Sequence, residues 1–405
     1  MTALADPVVE TPSRERHVVD LVAQLLDEHP PQHTDPTAFL GAQFDLGLAF
    51  IHFDEGFGGL GLAPNLQKVV QERLGAARAP QPFARNPIGY GMGAPTVYSH
   101  GSDAQKRRYL RPLFTGQEVW CQMFSEPGAG SDVASLATKA VRDGDEWVVN
   151  GQKVWTTLAH VARFGMLVAR TNPQAPKHKG MTYFVVDMQA PGVEVRPLYQ
   201  ITGEAEFNEV YFTDARIPDA ERLGEVGEGW RVVVTTLMNE RVSIGGNVAP
   251  RGSGLIAEAV KAWRAAERSG PVDAARKDEL MRLWVCSEAL RLTNWRAAQN
   301  RAVGTPGPEG SIGKAAFAEL NKAVTAFTLS LVGSDAMLMP GGYPRVRPVG
   351  TMLFDNPQKA FLRCRANSIE GGTTEVMKNI LGERVLGLPG DVRTDKELPW
   401  ADVPR

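Results

Sequence analysis

Cysteine is scarce: 405 residues hold three, Cys121, Cys286 and Cys364, far apart and in no C-x-x-C spacing. That pattern supports neither a disulfide framework nor a zinc site, and a reducing cytoplasm is the expected compartment. Positive charge is never concentrated, since 44 Lys and Arg are dispersed among 46 Asp and Glu. Nucleic acids and membrane surfaces are held by clustered cations, so neither is an expected partner. No apolar run reaches the roughly 18 residues of a membrane span, and Met1–Glu10 has no export-signal pattern. The seven His include no H-E-x-x-H, and His29 and His33 straddle Pro30-Pro31, which prevents them from sharing a helix face as metal ligands. The absence of G-x-S-x-G removes the common α/β-hydrolase signal.

The chain is too long for one core, so two or three domains are expected. From Arg14 to Gly116, helical patches alternate with Pro and Gly, and Pro64 to Gly75 reads as a helix. From Trp120 to Gly224, short β-branched and aromatic runs alternate with turn pairs. Val141, Asp143-Gly144, Trp147-Val148-Val149 and Asn150-Gly151 read as strand, turn, strand, turn, and Phe164–Ala169 and Tyr183–Val186 as further strands. The helical period returns in Gly229–Val248, Leu255–Ser269, Lys277–Val303 and Gly313–Leu331, with loops at Gly304–Gly310 and Pro340–Gly350. The predicted class is α+β multidomain: an N-terminal α-helical domain (1–118), a middle antiparallel β domain (119–227) and a C-terminal α-helical bundle (228–405).

Four segments carry chemistry. Gln122-Met123-Phe124-Ser125-Glu126-Pro127-Gly128-Ala129-Gly130-Ser131-Asp132 combines small residues and hydroxyls at a density that lets backbone N–H groups approach a flat polar ring. Gly151-Gln152-Lys153-Val154-Trp155-Thr156-Thr157 offers an aromatic that can exclude water beside short hydroxyls, although a strand with a core Trp is the plainer reading. In Asn239-Glu240-Arg241, Glu240 shares a helical stripe with Val233, Leu237 and Ile244, so its carboxylate is partly desolvated and its pKa moves towards that of a general base. Arg365-Ala366-Asn367-Ser368-Ile369-Glu370-Gly371-Gly372-Thr373-Thr374-Glu375 is a polar, glycine-centred loop. A literal G-x-G-x-x-G at Gly56–Gly61 invites a dinucleotide-binding reading, but Pro64 restarts the chain and parallel strands do not follow.

In this order the four segments resemble the acyl-CoA dehydrogenase family over roughly residues 30 to 390. The resemblance implies FAD as cofactor, contacted by Gln122, Met123, Phe124, Ser125, Gly130, Ser131, Trp155, Thr156, Thr157, Gly371, Thr373 and Glu375. It implies an acyl-CoA substrate near Ser131, Arg241 and Gly371, whose N–H would bind the thioester carbonyl. Many members carry the catalytic base immediately before a Gly-Thr pair. Here that position is Gly371, and Glu370 stands one residue away. Other members place the base on the earlier helix before an Arg, as Glu240-Arg241 does, so Glu240 is assigned as the α-proton-abstracting base and Glu370 is the alternative.

An electron-transferring flavoprotein is the acceptor the resemblance implies, in the catabolism of fatty acids or steroids. Two family segments that grip a neighbour's flavin, Arg-x-x-Phe-Gly and Gln-x-x-Gly-Gly, are missing from Arg301–Lys314 and Leu331–Met339. Some members that act on steroid side-chain thioesters pair two related subunits in an α2β2 tetramer. Gly307–Ser311 and Asn239–Ser243 resemble that branch, so a homo- or hetero-oligomer with a related subunit is expected. The competing readings are an acyl-CoA-binding subunit without turnover, a NAD-dependent dehydrogenase and an acyl-CoA oxidase.

Overall fold

Val18, Val22 and Leu25 recur at helical spacing along α1 (Glu10–Glu28) and are buried. The computed structural model describes residues 10–245, 248–270, 273–302, 307–348, 356–392 and 394–404, without the side chains of 10–12, 241–245 and 301–302. The buried face of α1 packs into a helical layer with α2 (Pro36–Asp45), α3 (Gln67–Ala76), the short α4 (Pro82–Arg85), α5 (Ala94–His100) and α6 (Asp103–Thr115). The limits of α6 are set locally: Ser102 and Gln105 form a reciprocal capping box at its start, and Gly116 ends it. The Gly56–Gly61 run lies in the α2–α3 connection. There the Gly58 carbonyl accepts from the Ala49 and Phe50 amides, and the Phe44 ring lies where a Gly58 side chain would stand. No strand leads into those glycines and no helix opens on them, so the dinucleotide reading is overturned: they serve a packed loop.

The middle of the chain is one sheet built from β1 (Trp120–Met123), β2 (Lys139–Asp143), β3 (Glu146–Lys153), β4 (Phe164–Arg170), β5 (Met181–Asp187), β6 (Val193–Pro197), β7 (Asn208–Pro218) and β8 (Arg222–Leu223). The order is β6-β7-β3-β2-β4-β5-β8, with β1 on β4. The pairing is antiparallel, as expected, except that β1 runs parallel to β4 and one β2–β4 pair is parallel. Alternation along β4 and β5 divides the core. Phe164, Met166, Val168, Tyr183 and Val185 face the N-terminal helices, while Leu167, Ala169, Phe184 and Val186 join Trp147, Val210 and Phe212 on the other face.

Asp143-Gly144 opens the β2–β3 turn as predicted, but Asn150-Gly151 does not turn the chain. It continues β3 opposite a bulge in β7, where two residues of β3 from Val149 to Gly151 are matched against three of β7 from Ala215 to Phe212. The Asn150 side chain donates to Asp214 Oδ1 and accepts from the Asp214 amide, work that a turn-forming Asn would do within its own turn.

The C-terminal layer comprises α7 (Gly229–Gly245), α8 (Leu255–Ser269), α9 (Ala274–Ala302), α10 (Glu309–Ser330), α11 (Pro357–Arg363) and α12 (Thr374–Arg384). α8 has its predicted limits, α9 and α10 begin earlier than expected, and Val248, the expected end of α7, is not helical, while residues 246–247 lie outside the described residues. Ile256, Trp263, Leu280, Val324 and Phe327 form the bundle core. Among the described residues, no helix is long and apolar enough to cross a membrane, and no group of metal-binding side chains occurs.

Candidate active site

The first two motifs are welded together by a buried ion pair. Lys153, at the end of β3, is fully buried, and its ammonium lies 2.7 Å from Glu126 Oε1 while donating to the Phe124 carbonyl at 3.0 Å. Glu126 also accepts from the Ala137 and Thr138 amides at 2.6 and 2.9 Å. Burial pushes the Glu126 carboxyl up, but the Lys153 charge and these donors outweigh it and leave it below its ordinary value. The Val154 amide donates to the Ser125 carbonyl, so the two segments are bonded along their main chains as well. Sequence reasoning gave Lys153 no role. The available signal was its position on the face of β3 that buries Trp147 and Val149, where a charge requires a buried partner.

From this weld the motif residues fan out unequally. The side chains of Met123 and Phe124 are turned into opposite core clusters, so these residues offer a ligand only their backbone. Gln122 and Ser125 are half-buried, whereas Gly130 and Ser131 are exposed. Trp155 is no core residue: it is 57% exposed, has a backbone φ of 61° and meets Phe207 edge to face at 5.8 Å. A non-glycine residue in that region stores strain of order 1 kcal/mol, which tertiary structure must hold. Here the Thr156 amide donates to the Asn208 carbonyl, and the Asn208 amide returns a bond to the Thr156 carbonyl. The Thr156 hydroxyl is buried without a partner among the described residues, an uncommon and costly state for a polar group. Thr157 beside it is half-buried.

α7 carries Glu240. Its register is fixed by Thr236, whose hydroxyl pairs with Thr96 at 2.9 Å and with Tyr183 at 3.1 Å, and by Thr235, bonded to His100 at 2.8 Å. Glu240 is one turn beyond Thr236 on the same face and is half-buried. Its carboxylate is close enough to α10 to act electrostatically on Lys314. The backbone of Arg241 lies in α7, but its side chain is outside the described residues.

The fourth segment forms a loop between α11 and α12 whose anchor, Arg363, sequence reasoning missed. Arg363 is buried. Its Nε donates to Glu206 Oε1 at 2.9 Å, and its two terminal nitrogens donate to the Glu370 carboxylate at 3.2 and 2.8 Å. Asn367 adds a 2.7 Å bond to Glu370. The Arg363 guanidinium also lies over the Phe207 ring, which touches Trp155, so the fork ties the loop to the Trp155 segment. Burial pushes Glu206 up to about 7 against the pull of Arg363. In the same loop, Gly371 and Gly372 adopt φ of 63° and 90°, a left-handed pair open to glycine at little cost. The Gly371 amide has no acceptor among the described residues. The Thr373 hydroxyl caps α12 by accepting from the Val376 amide, and Glu375 is exposed in its first turn. The buried hydroxyls of Ser368 and Thr374 have no partner among the described residues.

The motif segments thus offer Trp155 and the Thr156 hydroxyl at the end of β3, and Glu240 and the Gly371 amide on the helical layer. Orphaned buried hydroxyls, an exposed aromatic and a free amide are what a flat, polar, heteroaromatic cofactor needs. Of the two stretches that lack the family's Arg-x-x-Phe-Gly and Gln-x-x-Gly-Gly patterns, residues 303–306 of the first lie outside the described set, and the second follows α10 and contains a short turn, Gly333–Met337.

Comparison with known proteins gives this geometry a family. The chain matches the acyl-CoA dehydrogenase N-terminal domain over residues 15–117, the middle domain over 121–215 and the C-terminal domain over 227–386. It is 40% identical to acyl-CoA dehydrogenase FadE34 of Mycobacterium tuberculosis over 346 residues, covering 85% of this chain and 45% of that relative's length. Acyl-CoA dehydrogenase IpdE1 of the same organism is 38% identical over 350 residues, with 86% of each covered. Among solved structures, the Tcur3481-Tcur3483 steroid ACAD superposes with a TM-score of 0.73 at 25% identity, covering 96% of this chain and all of that one. The ChsE4-ChsE5 complex of Mycobacterium tuberculosis gives 0.67 at 28% identity, again covering 96% and 100%. The chain belongs to the acyl-CoA dehydrogenase family of FAD-dependent oxidoreductases.

Proposed function

We propose that the chain removes the α-proton and β-hydrogen of a saturated acyl-CoA thioester to give the trans-2-enoyl thioester, with Glu240 as the base. One observation carries the assignment. Glu370 is held by two guanidinium bonds and an amide bond, whereas Glu240 is half-buried on α7, close enough to α10 to act on Lys314. A carboxylate locked in a fork is a poor proton acceptor, because taking a proton breaks charge-assisted bonds.

The Gly371 N–H donates to the thioester carbonyl in this reading, stabilising enolate charge as it develops and acidifying the neighbouring carbon. Glu240 removes the proton from that carbon. FAD, when bound, supplies the acceptor for the β-hydrogen. Trp155, Thr156, Thr157, Ser125 and the backbone from Gln122 to Phe124 hold the ring on the sheet side, with Gly130, Thr373 and Glu375 at its margins. Trp155 and Phe207 exclude water from the reacting face. Ser131 and Arg241 bind the thioester beyond the reacting carbons.

The likeness to the solved steroid ACAD supports a bulky, steroid-derived acyl group and a second, related subunit that completes an α2β2 assembly. An electron-transferring flavoprotein is the proposed acceptor. The test is to purify the chain alone and with candidate partner subunits, count flavin per chain, and assay a panel of straight-chain, branched and steroid acyl-CoA thioesters with an artificial acceptor. Flavin uptake and turnover that appear only with a partner, favouring steroid thioesters, are expected. Full flavin occupancy in a stable homo-oligomer would defeat the two-subunit reading, and no enoyl product from any thioester would defeat the reaction.

A further inference from the structure

We infer that the segment 394–404 is a strap that positions the Ser131 loop for the thioester: it fastens Lys177 and Arg170, and these two cations fix the downstream flank of that loop. The inference rests on the reading that an acyl-CoA thioester lies against Ser131, and it adds the part of the fold that keeps Ser131 in place.

The loop that carries Ser131 depends on its two flanks. Gly128, Gly130 and Ser131 are exposed, and a side chain added at either glycine would meet nothing. The upstream flank is secured within the sheet domain. There the Glu126 and Ala129 main chains exchange two 3.0 Å bonds, and Glu126 is the anion of the buried pair with Lys153. The downstream flank is held from the β4–β5 connection. Asp132 Oδ2 accepts from the Lys177 ammonium at 2.8 Å and from the Ser135 hydroxyl at 2.6 Å. Arg170, buried at the end of β4, donates to the Ala134 and Leu136 carbonyls at 2.6 and 3.3 Å. It also donates to the Lys177 carbonyl at 2.7 Å, which joins the two cations into one support.

The segment 394–404 closes on that same support. Asp395, 218 positions beyond Lys177, takes the other side of its ammonium at 2.7 Å, and the lysine side chain is left only 12% exposed. The Trp400 ring lies 4.9 Å from the Arg170 guanidinium, and its Nε1 donates to the Ser135 carbonyl at 3.2 Å. Main-chain bonds seat the segment on the connection itself: the Trp400 and Ala401 amides donate to the Ala175 and Pro173 carbonyls at 2.9 and 3.0 Å. One segment therefore touches the Asp132–Leu136 turn directly and grips both cations that hold it.

A strap that served only global stability could lie anywhere on the sheet. This one ends on the flank of the residue read as a thioester contact. Without Asp395, Lys177 is held by Asp132 alone. Without Trp400, the Ser135 carbonyl loses a donor and water reaches the Arg170 guanidinium. The turn then opens more often, and Ser131 leaves the place where the thioester meets it. Ser131 binds beyond the reacting carbons, so it contributes equally to the ground and transition states, and its loss appears in KM rather than in kcat.

The experiment compares Asp395→Ala, Trp400→Ala, the double variant and Asp395→Glu with wild type, each as the full chain, flavin-loaded and with any partner subunit present. Hydrogen–deuterium exchange is followed without substrate at the Ser135 and Leu136 amides, which donate within the turn to the Asp132 and Val133 carbonyls. KM and kcat are taken with the saturated acyl-CoA thioester that wild type turns over fastest. The double variant should speed exchange about tenfold and raise KM about fivefold or more with kcat within about twofold, while Asp395→Glu stays close to wild type in both. An unmoved KM overturns the proposal even where the melting point falls, since a merely structural strap gives that result. A lower KM also overturns it, because Asp395 would then be competing with the thioester for Lys177. Exchange at the wild-type rate in the double variant overturns the strap whatever reaction the chain performs. Absence of enoyl product in wild type defeats the reaction reading instead, and faster exchange in the double variant still supports the strap.

Discussion

Replacing Lys153 by Met removes one partner of the ion pair that joins the two flavin-facing motifs and leaves Glu126 as an anion in a nearly water-free place. Breaking a buried pair from one side costs roughly 3–5 kcal/mol, because the remaining charge keeps its desolvation penalty without its partner. Glu126 would retain the Ala137 and Thr138 amide bonds, so the lower end, about 3 kcal/mol, is expected. Against a total stability of order 5–15 kcal/mol that is a large fraction. The assay is urea unfolding followed by tryptophan fluorescence and, separately, by flavin release, for Lys153→Met, Glu126→Gln and the double variant. The double variant should recover part of the loss, since no uncompensated charge is then buried. pH supplies a second axis. The folded Glu126 carboxyl lies below its ordinary value near 4.5, so its contribution is complete above that value and is lost as pH falls through the folded pKa. A single-variant cost below about 1 kcal/mol, with no coupling in the cycle, would refute the reasoning, since that is the range of an exposed pair.

Trp155→Ala should leave the melting midpoint of the flavin-free protein almost unchanged, within about 0.5 kcal/mol, because the ring is exposed; the flavin dissociation constant should rise severalfold, as a flavin titration would show. Glu206, raised by burial to about 7, is a carboxyl that the folded state prefers protonated. Wild-type stability should therefore fall as pH rises from about 4.5 to about 7, and Glu206→Gln should flatten that window in a series of melts; an identical slope in both proteins would count against the assignment. Arg363→Ala should destabilise the contact between the loop and the Trp155 segment by about 3 kcal/mol and release flavin at lower urea, because it strands Glu206 and Glu370 together.

The strands and helices that were legible have strong periodicities, whereas β6, β7, β8, α11 and α12 were not read from the sequence. Phe164–Ala169 and Tyr183–Val186 alternate between two cores, and Leu255–Ser269 carries a helical stripe. Asn150-Gly151 misled because its turn chemistry is spent across strands on Asp214. The site was legible where a motif is local, as in the segments ending at Asp132 and Thr157. What escaped were the partners that bind one segment to another: Lys153 to Glu126, Arg363 to Glu206 and Glu370, and Lys314 to the Gly371 loop. Each joins residues distant along the chain, and pairing at that range is fixed by the tertiary fold rather than by local spacing.

The central claim, that Glu240 and not Glu370 takes the proton, is tested most directly by rapid mixing of a saturated acyl-CoA thioester with the flavin-loaded Glu240→Gln and Glu370→Gln proteins. The account predicts that Glu240→Gln binds the thioester, seen as a perturbed flavin spectrum, yet fails to bleach, while Glu370→Gln bleaches at a rate within about tenfold of wild type. Bleaching by Glu240→Gln at the wild-type rate, or its loss in Glu370→Gln alone, would contradict it.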